Sequence, residues 1–219
     1  MYLLSESHKS LKNDIQGKFI SKMLYLEPNK ILCPNSGDCM HLCLKQIGRM
    51  KFKNSRNARL ERTKLFFQDR ELFLMKLHVE IKELSRLAIK KGKKPLVRLN
   101  GTSDIDWTQF DIINNNPEVF FYDYTKNPDL FSDFLNGKLP NNYHLIYSFN
   151  EKTKINWIRS FIIQGGQIAV VFKQIPETWK GFPVINGDKN DLRMFDKPSV
   201  IIGLRAKGPA RKSNSQFVQ

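Results

Sequence analysis

Short apolar runs alternate with helical patterns between residues 23 and 205, and this alternation limits the fold more than any other feature of the chain. Residues 167–172 and 200–204 are nearly all apolar, which is typical of strands buried on both faces of a parallel sheet. Strands that alternate with helices pair in parallel through right-handed crossovers. The pattern therefore predicts an α/β fold, with strands at residues 23–27, 96–99, 119–124, 143–149, 167–172 and 200–204.

Two α/β architectures satisfy this pattern, a partial β/α barrel and an open doubly wound sheet. No G-x-G-x-x-G motif follows the first strand, so the fingerprint of a dinucleotide-binding sheet is missing. We therefore predict a partial (β/α)6 TIM-barrel-like fold with parallel strands and a three-cysteine loop after the first strand. In this prediction residues 1–22 form an N-terminal arm, residues 23–205 form a single barrel-like domain, and residues 206–219 form a basic mobile tail.

The helices are predicted from apolar spacing and from capping residues. Apolar residues recur three or four positions apart from residue 57 to residue 91, with a break that Asp69 could cap. Residues 107–115 could make a short helix. Asn127 followed by proline predicts a helix start, and Asn150 predicts the cap of a helix that extends to residue 163.

All three cysteines of the chain fall within eleven positions, from Cys33 through Cys39 to Cys43. An odd cysteine count in 219 residues is not the composition of a disulfide-stapled secreted domain. Thiolates that crowd into one loop usually share a metal ion or an iron–sulfur cluster, although a buried cysteine can also serve as a small hydrophobic residue. The clustering favours a shared inorganic centre.

The spacing leaves the kind of centre open. Zinc requires a fourth ligand, which His41 could supply from between Cys39 and Cys43. Three cysteines alone suit a four-iron cluster that leaves one iron open for a substrate or cofactor. Cys39 and Cys43 are four residues apart, so they would share one face of a short helix that ends at Gly48.

The formal net charge is +15, from 36 Lys and Arg against 21 Asp and Glu. A surplus of this size favours polyanionic partners, of which nucleic acid is the commonest. The charge is spread along the chain, and no arginine-rich block laced with aromatic residues indicates sequence-specific reading of bases. Because the chain has no run of eighteen apolar residues and no secretion-signal pattern at its start, we expect a cytoplasmic protein without a membrane span.

Polar residues follow each predicted strand, where β/α barrels place their chemistry. We expect them to face one mouth together with the cysteines. Several have a structural alternative, since Asp104 and Asn150 can cap helices and the two lysines can be solvated. The set comprises Asn100, Thr102, Ser103 and Asp104 after the second strand, Tyr124 and Lys126 after the third, Ser148 and Asn150 after the fourth, and Lys173 after the fifth.

A magnesium-dependent nuclease that uses Asp104, Asp188 and Asp191 is a further alternative. Residues 186–191 have the composition of a turn, and their carboxylates could close the mouth. Nothing in the spacing of the three acids singles them out.

The cysteine loop, directly after the first strand of the predicted barrel, resembles that of the radical S-adenosylmethionine enzymes. In that superfamily three cysteines hold a four-iron cluster, and the open iron binds the amino and carboxylate groups of the methionine part. The usual gaps are three residues and then two, whereas here Cys33, Cys39 and Cys43 are separated by five and then three. Asn100-Gly101-Thr102 stands where the methionine-binding turn of that superfamily follows the second strand.

This resemblance implies an iron–sulfur enzyme that cleaves S-adenosylmethionine reductively at the open iron and produces a radical that abstracts hydrogen from a substrate. The basic surface suggests a nucleic acid or nucleotide substrate. The alternative is a non-catalytic zinc- or nucleic-acid-binding protein. The cluster ligands would be Cys33, Cys39 and Cys43, the candidate catalytic residues Asp104, Tyr124 and Lys126, and the candidate cofactor-binding residues Asn100, Thr102, Ser103, Ser148, Asn150 and Lys173.

A closer resemblance covers most of the chain. The segments that carry it are residues 33–43, 98–105, 121–126, 143–148 and 184–193, which are similar to a family of uncharacterised phage and prophage proteins. This resemblance implies a viral source and supplies no activity.

Overall fold

Within residues 1–6 and 17–219, the part of the chain that this computed structural model describes, nine strands form one mostly parallel sheet. Four of the six predicted strands lie within one or two residues of their predicted ends, residues 167–172 match, and the first lies earlier than predicted. The strands are β1 (Leu4–Ser5), β2 (Phe19–Leu24), β3 (Lys94–Arg98), β4 (Phe120–Thr125), β5 (Tyr143–Ser148), β6 (Gln167–Phe172), β7 (Thr178–Trp179), β8 (Phe182–Asn186) and β9 (Val200–Arg205).

The strands lie in the order β1-β2-β3-β4-β5-β6-β9-β8-β7. The seven strands β2 to β6, β9 and β8 pair with one another in parallel, whereas the short outer strands β1 and β7 pair antiparallel with β2 and β8. Strands β2 to β6 are therefore neighbours in chain order. In the described residues β1 and β7 end the sheet on opposite sides, so the sheet is open.

The predicted α/β class with parallel strands is confirmed, whereas the sheet does not close into a barrel. Two features missing from the prediction account for much of the difference. The hairpin of β7 and β8 inserts before β9 and extends the sheet beyond it. The connection from β3 to β4 contains the single 3-10 turn Trp107–Gln109 in place of the predicted helix at residues 107–115.

The described residues include four α-helices: α1 (Lys53–Gln68), α2 (Arg70–Lys90), α3 (Pro128–Leu135) and α4 (Ile155–Ile163). The predicted break at Asp69 is confirmed, because its carboxylate accepts the Leu72 N–H at 2.9 Å. Asn127 caps α3 as predicted. Helix α4 begins later than predicted, because Asn150 forms a local turn by accepting the Lys152 N–H at 3.1 Å.

The two faces of the sheet are covered differently. One face packs against the helices and forms the main core, to which Phe73 and Ile81 of α2 contribute. On the other face Leu192, from the segment between β8 and β9, packs with Leu96 and Tyr122. Side chains two residues apart on a strand share a face, so Arg98 and Tyr124 lie on this second face. Buried polar side chains, among them Arg98 and Asp191, lie on this second face.

Both ends of the chain differ from the prediction where the structure describes them. Residues 1–6 and 17–22 of the predicted arm contribute β1 and most of β2, and residues 7–16 of that arm lie outside the described part. Residues 206–219, expected to be a mobile tail, pack against β6, since Gln219 N–H donates to the Val171 carbonyl at 2.9 Å and Phe217 is buried. None of the helices described is long and apolar enough to cross a bilayer.

Candidate functional site

A cavity of about 250 Å³ lies at the carboxyl ends of the parallel strands. The carboxyl ends of neighbouring parallel strands meet at one edge of a sheet, and this edge is where α/β proteins bind their ligands. Most of the predicted site residues line this cavity, namely Cys33, Cys39, Cys43, Asn100, Thr102, Ser103, Asp104, Tyr124, Lys126 and Ser148.

The three thiols are free, half-buried and on the wall of this one cavity. The predicted short helix is replaced by three 3-10 turns, Gly37–Met40, Leu44–Gln46 and Gly48–Lys51. Cys39 lies in the first turn, and Cys43 precedes the second. Tight turns of this kind redirect the chain every few residues, so that all three sulfur atoms reach the same space.

Residues at the ends of two strands hold the cysteine loop in place. The Cys33 thiol donates to the Thr102 carbonyl, with the sulfur and oxygen 3.8 Å apart. Asn150 Nδ2 donates to the Asn35 carbonyl at 2.7 Å, and Glu151 Oε1 accepts the Asp38 N–H at 3.0 Å. Asn150 does not line the cavity and acts on the site through the loop.

The thiols influence one another electrostatically. Burial and, to a smaller extent, the negative charges of Asp104, Cys43 and Cys39 together raise the pKa of Cys33 to about 12, while Lys126 opposes them. Burial also raises the pKa of Cys43. Neighbouring groups of the same charge resist ionisation together, so Cys33 and Cys43 become thiolates at neutral pH only when positive charge is brought near them.

The zinc alternative lacks its predicted fourth ligand. His41 is exposed and does not line the cavity, and its carbonyl accepts a hydrogen bond from Gln46 Nε2 at 2.6 Å. Across residues 1–6 and 17–219, no three His, Cys, Asp or Glu side chains are grouped so that they could hold a metal ion.

Lys126 is the cation beside the thiols. Its side-chain Nζ donates to Ser148 Oγ at 2.7 Å, and its backbone N–H donates to Asp104 Oδ2 at 2.9 Å. Burial alone would lower the pKa of Lys126, but Cys39, Asp104 and Cys33 outweigh it and raise the pKa. Burial raises the pKa of Asp104, an effect that Lys126 opposes. The arrangement holds an ammonium group beside the three sulfur atoms.

The turn after β3 uses its polar side chains to build itself. Asn100 Oδ1 accepts from Ser103 Oγ at 2.8 Å, from the Ile105 N–H at 3.0 Å and from Trp107 Nε1 at 3.1 Å. The Thr102 hydroxyl donates to the Leu26 carbonyl at 2.6 Å. These contacts fix the shape of the cavity wall, and cofactor binding by these residues stays a prediction.

A buried polar cluster on the second face of the sheet supports the floor of the cavity. Arg98 Nη1 pairs with Asp191 Oδ2 at 3.2 Å, and the Tyr124 hydroxyl donates to Asp191 Oδ1 at 3.2 Å. The Arg98 guanidinium lies 4.5 Å from the centroid of the Tyr124 ring. Burial raises the pKa of Tyr124, so its phenol stays protonated. Arg98 was not among the predicted site residues, although a single arginine in the otherwise apolar run of residues 96–99 is a usable signal.

The three acids of the nuclease alternative have separate partners. Asp191 belongs to the Arg98 cluster, whereas Asp188 Oδ1 accepts from Lys207 Nζ at 2.6 Å and its Oδ2 accepts the Arg205 N–H at 3.0 Å. The Asp104 carboxylate accepts the Lys126 N–H. The three acids are not grouped as ligands of one ion.

Lys173 does not reach the cavity and is exposed, although its backbone N–H donates to the Gln219 carbonyl at 2.9 Å. The cavity gains other residues instead, among them Arg205, Lys207 and Phe217. They were missed because the segment that carries the last two was expected to be mobile.

The fold and the cavity define an α/β protein with three free thiols gathered at the carboxyl edge of a mostly parallel sheet. The chain belongs to the family described as Gene product 88, a phage-type family whose model matches residues 2–219. No curated protein and no solved structure matches the chain.

Proposed function

We propose that this phage protein is an iron–sulfur enzyme similar to the radical S-adenosylmethionine enzymes and that it acts on a nucleic acid or nucleotide. The observation that carries the proposal is the convergence of three free thiols on one cavity, with the ammonium group of Lys126 beside them. A three-cysteine set leaves one iron of a four-iron cluster without a protein ligand.

The position of the cavity supports this proposal. The loop follows β2, the first of the parallel strands, and β2 to β6 are neighbours in chain order. An open, parallel sheet with strands in consecutive order has the connectivity of a partial barrel. Polar groups from the ends of β3, β4 and β5 reach the same space as the sulfur atoms.

The donor set supports a cluster because the thiols are electrostatic neighbours. Cys43 and Cys39 both contribute to the raised pKa of Cys33, and no histidine of the described residues lines the cavity with them. Iron at this position would supply the positive charge that three neighbouring thiolates require.

Cys33, Cys39 and Cys43 would hold such a cluster, which would supply the electron for reductive cleavage of the S–C5′ bond of S-adenosylmethionine. Around it, the Lys126 ammonium would hold positive charge near the thiolates, and the Asp104 carboxylate would accept hydrogen bonds from a cationic amino group. Phe217 and Leu42 on the cavity wall would exclude water from the reacting groups.

Anaerobic reconstitution with iron and sulfide tests the cluster. We expect a brown protein that holds about four iron atoms per chain, and we expect Cys33→Ser, Cys39→Ser and Cys43→Ser each to lose most of this iron. Ser36→Ala is the matched control, because Ser36 lines the cavity in the same loop and supplies no thiol. Equal iron in the serine variants and the wild type, or a colourless wild type that binds one zinc ion, would overturn the proposal.

The reaction is tested separately from the cluster. The loaded protein, reduced with dithionite in the presence of S-adenosylmethionine, should release 5′-deoxyadenosine and methionine in equal amounts. The Ser36→Ala protein should do the same. A protein that keeps its iron but forms no 5′-deoxyadenosine under reducing conditions would be an iron–sulfur protein of another kind.

A further inference from the structure

Two segments at the mouth of the cavity carry a concentrated positive charge. Residues 44–64 contain eight Lys or Arg and one acidic residue, and residues 205–212 contain four Lys or Arg and no acidic residue. The spread of charge along the sequence hides this concentration, because the two segments are far apart in the chain. We call them together the basic rim.

The two segments of the basic rim touch each other beside the cavity. The turn Leu44–Gln46 contacts the turn Gly208–Lys212, and a Cβ atom on Gly208 would lie 2.7 Å from Ile47 Cγ1. Leu44 from one segment and Lys207 from the other line the cavity. The basic rim therefore adjoins the wall of the cavity at these residues.

The four cations between residues 49 and 56 are exposed, and none of them has a carboxylate partner in the described part of the chain. Arg49, Lys51, Lys53 and Arg56 form no ion pair within residues 1–6 and 17–219. By contrast, Glu27 pairs with both Lys45 at 3.3 Å and Arg59 at 2.8 Å. Neighbouring like charges repel one another in the free protein, so a polyanion that lies across them is bound favourably.

An exposed aromatic side chain stands among these cations. Phe52 lies between Lys51 and Lys53, directly before α1, and 57% of its surface is exposed. Leu44, at the edge of the cavity, is 48% exposed. Aromatic rings set in a basic surface stack on the bases of single strands, whereas in a duplex the faces of the bases are already stacked.

We propose that the basic rim binds a single-stranded nucleic acid, with phosphates on Arg49, Lys51, Lys53 and Arg56 and a base stacked on Phe52. The strand then presents one unpaired nucleotide to the cavity, since enzymes that modify a base must take it out of the stack. This inference deepens the proposed function and rests on it, because presenting a nucleotide to the cavity serves the proposed reaction. Binding of the strand to the basic rim needs no cluster.

Fluorescence anisotropy with a labelled single-stranded oligonucleotide, as DNA and as RNA, tests the rim. Arg49→Gln/Lys51→Gln/Lys53→Gln should weaken binding at least tenfold and lower the slope of log K against log salt by about 2, because each phosphate contact on a single strand contributes about 0.7. Arg86→Gln/Lys90→Gln/Lys91→Gln removes the same charge from exposed positions near the end of α2 and should change affinity less than twofold. An equal loss of affinity in the two variants would mean that binding depends only on the total charge of the protein, and it would overturn the proposal.

The stacking contact has a separate signature. Phe52→Ala should weaken single-strand binding at least threefold and leave the salt slope unchanged, since no charge is lost. Phe195→Ala is the matched control, because Phe195 is 60% exposed and lies outside the rim. A duplex bound as tightly as a single strand, or no effect of Phe52→Ala, would contradict the proposal.

These measurements separate the two proposals. Circular dichroism confirms that each variant is folded before binding is measured. A protein that holds its cluster and cleaves S-adenosylmethionine, but whose affinity for single strands does not depend on the residues of the basic rim, would refute this inference alone. A protein that binds single strands through the rim but takes up no iron would refute the proposed function.

Discussion

Lys126 is charged and the Cys33 thiol is neutral, although both side chains are partly buried at the same cavity. Burial and the neighbouring negative groups raise the pKa of Cys33 to about 12, so the free thiol stays protonated. The same negative groups keep the ammonium of Lys126 protonated against the cost of burial. A residue that holds a fixed charge at such a place controls how easily an electron can be added beside it.

Replacing Lys126 by methionine should lower the reduction potential of a bound cluster by tens of millivolts. The added electron then lacks a cation whose attraction, within about 10 Å and at an effective dielectric constant of about 20, is worth about 1–2 kcal/mol. Potentiometric titration followed by visible absorbance measures the change. Lys173→Met removes an exposed lysine outside the cavity and should leave the potential unchanged. A Lys126→Met protein with the wild-type potential would place this charge away from the redox centre.

Asp123 gives the fold a predictable dependence on pH. Burial raises its pKa to about 7, although the Asn100 N–H at 2.6 Å and the Tyr143 hydroxyl at 3.1 Å both donate to it. The unfolded chain ionises this group near its ordinary value, so between about pH 4 and pH 7 the native state binds more protons than the unfolded state. The contribution of Asp123 to stability is complete below that window and is lost as the pH rises through it.

The expected slope is a decrease in the free energy of unfolding of up to about 1.4 kcal/mol per pH unit across this window. Urea denaturation at several pH values measures it. Asp123→Asn reproduces the neutral side chain and its ability to accept the Asn100 N–H, and it should remove this part of the slope. An unchanged pH dependence in Asp123→Asn would show that other groups cause it.

At the scale of elements, the cysteine loop depends on a close approach between two connections of the sheet. Gly37 has a φ of +52°, and a Cβ atom there would lie 1.9 Å from Glu151 Oε1, the atom that accepts the Asp38 N–H. A side chain at residue 37 would therefore displace the Glu151 carboxylate from the Asp38 N–H, the contact that joins the connection after β2 to the connection after β5.

Gly37→Ala should destabilise the protein and lower its iron content after reconstitution. Gly137→Ala is the control, because Gly137 has a φ of +69° with no atom within 4 Å of its missing Cβ. It reports the left-handed strain alone, about 1–2 kcal/mol. The difference between the two variants in chemical denaturation isolates the clash with Glu151. Equal losses of stability and equal iron contents would mean that the loop does not need this approach.

The elements that the sequence predicted best are those with a strong local signal. The apolar run of β6, the caps Asp69 and Asn127, and the consecutive parallel strands were all foreseeable, because burial and capping depend on neighbouring residues. The short strands β7 and β8 were not, because β7 has only two residues and Pro183 in β8 weakens the prediction of a strand. The burial of Phe217 depends on contact with β6, which no local pattern in a basic, polar segment reveals.

The candidate site was predictable to a similar degree. Reading polar residues at strand ends found most of the polar residues that line the cavity, since parallel strands bring those ends together. It placed Lys173 in the cavity, where the structure has it exposed. It missed Arg98, which ends β3 but lies inside the predicted strand 96–99, and Lys207, which comes from the C-terminal segment. The convergence of the three thiols depends on tight turns fixed by Thr102, Asn150 and Glu151, contacts that join distant parts of the chain.

At the scale of the whole molecule, the cavity is a junction of segments that are remote in sequence. The cysteine loop contacts the turn after β3 through Cys33 and the connection after β5 through Asn150. It also contacts the C-terminal segment, because Asp38 Oδ2 accepts from Ser215 Oγ at 2.5 Å. A ligand that binds only the folded arrangement stabilises every segment that the arrangement joins.

Loading with iron and sulfide should therefore protect the junction as one unit. In anaerobic hydrogen–deuterium exchange we expect slower exchange in residues 28–52, 100–104 and 206–219 together, because opening any one of them would disturb the ligands held by the others. Helix α2 (Arg70–Lys90) packs on the first face of the sheet, away from the cavity. Its exchange rates should change little, which makes it the internal control. The apoprotein of Cys39→Ser, treated identically, should show no added protection. Protection confined to residues 33–43 would indicate a metal held by the loop alone, whereas protection of all three segments would identify the cavity as the place where the cluster, the strand ends and the C-terminal segment are joined.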